Sequence, residues 1–168
     1  LDLIKQKNLF KINNKINGKL NFTADKVYSK NNLIKSFESR IKFYNGDAKI
    51  EQFLINLGKL GAADIIGSIN NDKKFSRFKF ESNIFIDNEK KFLSKFGIYN
   101  KKNLSSNLFV SGNLDIENIK MSFYEISNDE KFNSEDINYI ESEFNDLMLE
   151  NDFAYLFDFL KFKVFLKS

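Results

Sequence analysis

The sequence predicts an α+β domain that is mostly β: a curved, groove-like antiparallel meander with one short helix and a longer C-terminal helix. Three observations predict it. Apolar and polar residues alternate with period two from Lys19 to Ile126. Tight-turn residues interrupt that alternation at short intervals. From Ser134 the apolar spacing becomes helical.

The elements follow in order. Leu20, Phe22 and Ala24 alternate with polar residues and open the first strand. Phe37, Ser39, Ile41 and Phe43 form the second, which ends at Asn45-Gly46. Asn-Gly is the strongest short hairpin signal, because both central residues of the favoured turn need positive φ. Ala48 and Ile50 begin the return strand. The alternation then skips one place and resumes at Phe53, Ile55 and Leu57, which predicts a bulge. Gly58 and Gly61 mark a turn, and Ala63, Ile65, Gly67 and Ile69 make the next strand, ended by Asn70-Asn71-Asp72. Phe78, Phe80, Ser82, Ile84 and Ile86 form another. Asp87 or Asn88 then caps a short helix with Phe92, Leu93 and Phe96 on one side and Gly97 at its end. Leu108 to Leu114 and Ile119 to Phe123 complete about seven strands joined by short turns.

Ser134 is read as the N-cap of the longer helix, with Glu135 and Asp136 at the positive end of its dipole. Ile137, Ile140, Phe144, Leu147 and Met148 share one helical face, and Glu141, Glu143, Asp146 and Glu150 take the other. Phe153 to Leu166 fits either a helix or a strand, and helix through Leu160 is the favoured reading. The 168 residues suit one domain, with a β-rich part over 1–126 and an acidic helix and Phe-rich segment over 127–168.

Composition excludes several classes of chemistry. The chain has no Cys, His, Trp or Pro. Disulfides, thiolate metal sites and the usual histidine general base are therefore absent. Phe, Ile, Lys and Asn supply 85 of the 168 residues, a bias that AT-rich codons produce by drift, so the Lys and Asn content says little about function. Residues 1–124 hold 22 basic and 12 acidic side chains, whereas 125–152 hold 1 basic and 10 acidic. The lysines are scattered and no aromatic–basic recognition motif accompanies them, so no nucleic-acid partner is expected. The longest uncharged run, Asn103 to Leu114, is too short to span a bilayer. The chain begins with Leu and reads as a piece of a longer protein.

No catalytic constellation emerges. Gly58-Lys59-Leu60-Gly61 lacks the Ser or Thr and the helix start that a phosphate loop needs. The oxygen-rich stretch from Asn128 to Asp136 lacks the glycine and spacing of a calcium loop. Asp64 points away from the apolar face of its strand and has no acidic partner at a defined separation. Asn21-Phe22-Thr23 and Asn103-Leu104-Ser105 match the glycosylation sequon, as chance allows in an Asn-rich chain. The chain is expected to be non-enzymatic and to hold no cofactor and no metal. The 20 Phe residues are the feature with functional promise, since an apolar sheet face left partly open suits acyl chains. A closed core with no ligand is the competing reading.

Gly18 to Val27, the hairpin from Phe37 to Phe53, Leu57 to Gly67, Phe92 to Gly97 and Val110 to Asp115 together give a run that resembles the AsmA-like family of bacterial envelope proteins. The resemblance implies a long twisted sheet around an apolar groove, as in bridge-like carriers of phospholipid that serve outer-membrane biogenesis. It implies a periplasmic location, anchorage in the inner membrane through a segment outside this chain, and no catalytic residues. On that reading the face lined by Phe22, Ile41, Phe43, Phe53, Ile55, Ile65, Phe78, Phe80 and Met121 meets phospholipid acyl chains. Neighbouring segments of the full-length protein would pair with its strand edges. The alternative is a structural or protein-interaction module of a larger envelope protein.

Overall fold

The fold was obtained as a computed structural model, which describes residues 12–28, 33–71, 76–95, 99, 106–128 and 130–149. Seven strands form one antiparallel sheet in sequence order: β1 (Gly18–Ala24), β2 (Ser36–Tyr44), β3 (Asp47–Asn56), β4 (Gly61–Asn71), β5 (Ser76–Ile86), β6 (Asn107–Asp115) and β7 (Lys120–Ser127). Each strand pairs with its neighbour in sequence, the meander that the alternation predicts. Helix α1 (Glu89–Lys95) lies between β5 and β6, and α2 (Ser134–Leu149) follows β7.

Local chemistry explains the joints. Asn45 and Gly46 have φ of 49° and 91°, the left-handed pair a two-residue hairpin requires, and Tyr44 pairs with Asp47 across it. The skipped place in β3 is a bulge: Arg40 pairs with Gln52 and Ile41 with Ile50, so Glu51 is the extra residue. Phe53, Ile55 and Ile50 thereby stay on one face. β3 and β4 are joined by a 3-10 turn over Gly58–Leu60. A second bulge falls at Tyr124, where Gly112 pairs with Phe123 and Ser111 with Glu125.

Capping groups set the helix starts. Asn88 Oδ1 accepts the Lys91 N–H at 2.9 Å and caps α1. In α2 the cap is Asn133 and not Ser134: its Oδ1 accepts the Asp136 N–H at 2.9 Å, so the helix is entered one residue earlier than expected. Phe96, Gly97, and Phe153 to Leu166 lie outside the described residues.

Burial is concentrated in two places. Leu57, Leu60 and Ile86 pack with Phe92 and Leu93 of α1 at one end of the strands. Leu114 and Ile116 pack with Ile69, Phe78, Ile119 and Met121, and with Phe144 of α2, near the far corner. Outside these clusters Ala48 and Ile126 are also buried, and most other apolar side chains on their face of the sheet are half-buried.

Candidate functional site: the apolar face and its borders

Strand register decides which side chains share a face, because directly paired residues point the same way. One row runs across the sheet as Phe22, Ser39, Phe53, Ile65, Ser82, Val110 and Ile126. The next holds Leu20, Ile41, Ile50, Gly67, Phe80, Gly112 and Phe123. Phe43, Phe78 and Met121 belong to a third row, and Ile55 to a fourth with Phe37. The register therefore places all nine of Phe22, Ile41, Phe43, Phe53, Ile55, Ile65, Phe78, Phe80 and Met121 on one face.

The rings on this face touch one another. Phe37 lies 5.5 Å from Phe22 and 5.7 Å from Phe53, centroid to centroid. Phe78 stacks on Phe80 at 5.6 Å. Small residues make room for them. A Cβ on Gly67 would stand 2.7 Å from Cε2 of Phe78, and one on Gly112 would stand 3.2 Å from Cζ of Phe80. These rings lie down over the glycines and pave the sheet. At the β1 side the face is open, with Leu20 48% and Phe22 52% exposed.

At the β7 side α2 closes it. Phe144 meets Phe123 edge-on at 5.7 Å. Beside that contact, Asn145 donates from Nδ2 to Met121 O at 2.8 Å and accepts the Met121 N–H on Oδ1 at 2.7 Å. The Glu141 carboxylate accepts the Phe123 N–H at 3.0 Å. Glu141 thus faces the sheet, where a solvent-facing position was expected. The side chains of α2 satisfy edge groups that a further strand would otherwise pair. Sequence reasoning missed Asn145, although Ile137, Glu141 and Asn145 are spaced four apart in line with the apolar stripe.

The opposite face is polar and carries a hollow of about 930 Å³. Lys42, Lys49, Lys79, Glu51 and Glu81 line it, together with Tyr44, Ile66, Ser111 and Tyr124. Both bulge residues, Glu51 and Tyr124, border it. Of the nine apolar-face residues only Phe80 reaches it. The three lysines follow one row across the sheet, with Lys42 directly opposite Lys49, and Asp47, Glu51 and Glu81 offset their charge.

Asp64 lies on the polar face, as its place in the alternation predicts. It sits between Leu54 and Asn83. Its Oδ1 is shut off from solvent and has no hydrogen-bond partner among the described residues. Leu54 and Ile66 beside it, and Phe85 diagonally across, are partly exposed apolar residues. Shielding a carboxylate oxygen without a donor costs free energy. Asp64→Val is expected to raise stability by about 1–2 kcal/mol, visible as a higher Tm in thermal melting.

The β6–β7 turn holds the clearest perturbed carboxylate. Burial at the turn is the largest influence on Asp115 and opposes its ionisation. The Asn118 side chain, the N–H groups of Asn118 and Glu117, and the charge of Arg77 together outweigh it and hold the carboxyl below its ordinary value. Stability from this group is complete above the ordinary carboxylate range. It is lost as pH falls through that range to the lower folded value. Asp115→Asn should flatten the acid limb of the stability profile. It should cost on the order of 1 kcal/mol at neutral pH, kept small by solvent screening, and urea melts at several pH values would measure both. On β7, the hydrogen bond from Lys131 at 2.8 Å leads the influences that hold Glu125 low.

Among the described residues no helix is long and apolar enough to cross a membrane. Comparison with protein-family models, curated proteins and solved structures finds no match to this chain.

Proposed function

We propose that this chain is a non-catalytic segment that holds phospholipid acyl chains against the apolar face of its sheet, within an envelope protein that moves or stores lipid. One observation carries the reading. Nine large apolar residues share a face that the described helices cover only at its two ends. Burial of acyl chains is non-directional and needs few polar groups, which suits such a face. The resemblance to AsmA-like proteins supports the same reading and adds the periplasmic setting.

The competing reading is a structural or protein-interaction module. Two observations favour it: the hollow lies against the polar face, and the Phe rings pave the apolar one. Native mass spectrometry of protein purified without detergent from a lysate containing bacterial membranes separates the two. Bound phospholipid is expected, and Phe22→Asp and Phe43→Asp should lose it while circular dichroism reports an intact sheet. A folded, lipid-free protein that also fails to take up added phospholipid vesicles would sink the lipid reading.

A further inference from the structure

The two edges of the sheet differ. β7 is occupied by Asn145 and Glu141 of α2, and Ser127 forms a further bridge with Lys131. β1 has no described element on its outer side, and its residues from Gly18 to Thr23 are exposed. It pairs with β2 in unbroken register along all seven residues, without a bulge, and it carries no charge on its apolar face. A proline, a bulge and an inward-pointing charge, which normally discourage strand addition, are lacking at this edge, and Lys19 on the polar face is its one charge.

We propose that β1 pairs antiparallel with β1 of a second copy of this chain, about a two-fold axis through Asn21. The β1 sequence is self-complementary in that register. Leu20 falls opposite the partner's Phe22, so two half-exposed apolar side chains cover each other on the apolar face. Lys19 falls opposite the partner's Thr23 on the polar face, so no like charges meet. An axis between two residues would set apolar against polar side chains, and an axis centred on Leu20 or Phe22 would use fewer of the seven residues. The product is one continuous sheet with β7 at both ends. Because α2 seals each β7, assembly stops at two copies. This inference is independent of what the apolar face binds.

Light scattering coupled to size exclusion, across concentrations up to the solubility limit, tests it with two variants of Thr23. Within one protomer Thr23 pairs with Glu38. Thr23→Lys therefore gains a favourable neighbour within the protomer but faces the partner's Lys19 across the proposed interface. Thr23→Glu reverses both effects. The expected result is a concentration-dependent dimer that Thr23→Lys weakens about tenfold and Thr23→Glu tightens by a similar factor, since each substitution acts at two symmetric contacts. Folding stability of the protomer should move the opposite way, so misfolding cannot imitate this pattern. A monomer at every concentration, or a dimer indifferent to both substitutions, overturns the proposal.

Discussion

Gly61→Ala is expected to cost about 3–5 kcal/mol and to lower the Tm by roughly 10 °C. Gly61 has φ 141° and ψ −156°, a region that only glycine occupies without strain. Space is lacking as well. An added Cβ would fall inside the van der Waals shell of Phe85 O and stand 3.0 Å from Cα of Ile86. Those atoms are backbone of the paired strand β5, so they cannot swing aside. Leu57, Leu60 and Ile86 of the first core cluster surround the position, and relief by backbone movement would open that cluster. Gly18→Ala is the control. Nothing lies within 4 Å of its Cβ position, and its stability should barely change. Thermal and urea melts of the two variants make the comparison.

Asn145→Leu should cost about 2–4 kcal/mol. The substitution keeps the side chain's approximate size and removes both of its hydrogen bonds. Met121 then keeps an N–H and a C=O that were partly buried and have lost their partners. Each such group costs about 1–3 kcal/mol, and water reaching the widened gap recovers part of that. Asn145→Asp should be nearly as harmful, since a carboxylate oxygen would replace the Nδ2 donor facing Met121 O. A second consequence distinguishes this residue from ordinary core. Loosening α2 exposes the β7 edge, so the variants should form species larger than a dimer under conditions where the parent chain does not. Light scattering at matched fraction folded reads that difference.

The meander, the Asn45-Gly46 hairpin and the bulge at Glu51 were legible because each leaves a local mark in the alternation. The second bulge left the same mark: Phe123 and Ile126 are three apart where period two predicts an even spacing. The face shared by the nine apolar residues was legible for a related reason, since a correct strand phase fixes which side chains lie together. The α2 cap at Asn133 was missed because Ser134 is an equally good capping type, and only helix geometry chooses between neighbours. Glu141 and Asn145 were missed because polarity suggests a solvent-facing side chain, whereas the unpaired N–H and C=O groups of an edge strand demand polar partners. The hollow on the polar face could not be read at all. A bulge bends its strand, and alternation carries no information about where that bend leaves a hollow.

The order of the strands has a consequence for how the chain reaches this fold. Among the described residues every strand pairs with its neighbours in sequence, and the β2–β3 and β3–β4 connections are only a few residues long. Few distant segments must find one another, so the search is short for a protein so rich in sheet. Each hairpin offers a template on which the next strand can add. The chain should therefore build outward during synthesis, with β1 to β4 able to pair before β6 has left the ribosome. Docking of α2 onto β7 follows the pairing of β6 with β7, because its Asn145 and Glu141 bond to backbone groups that only a formed β7 presents.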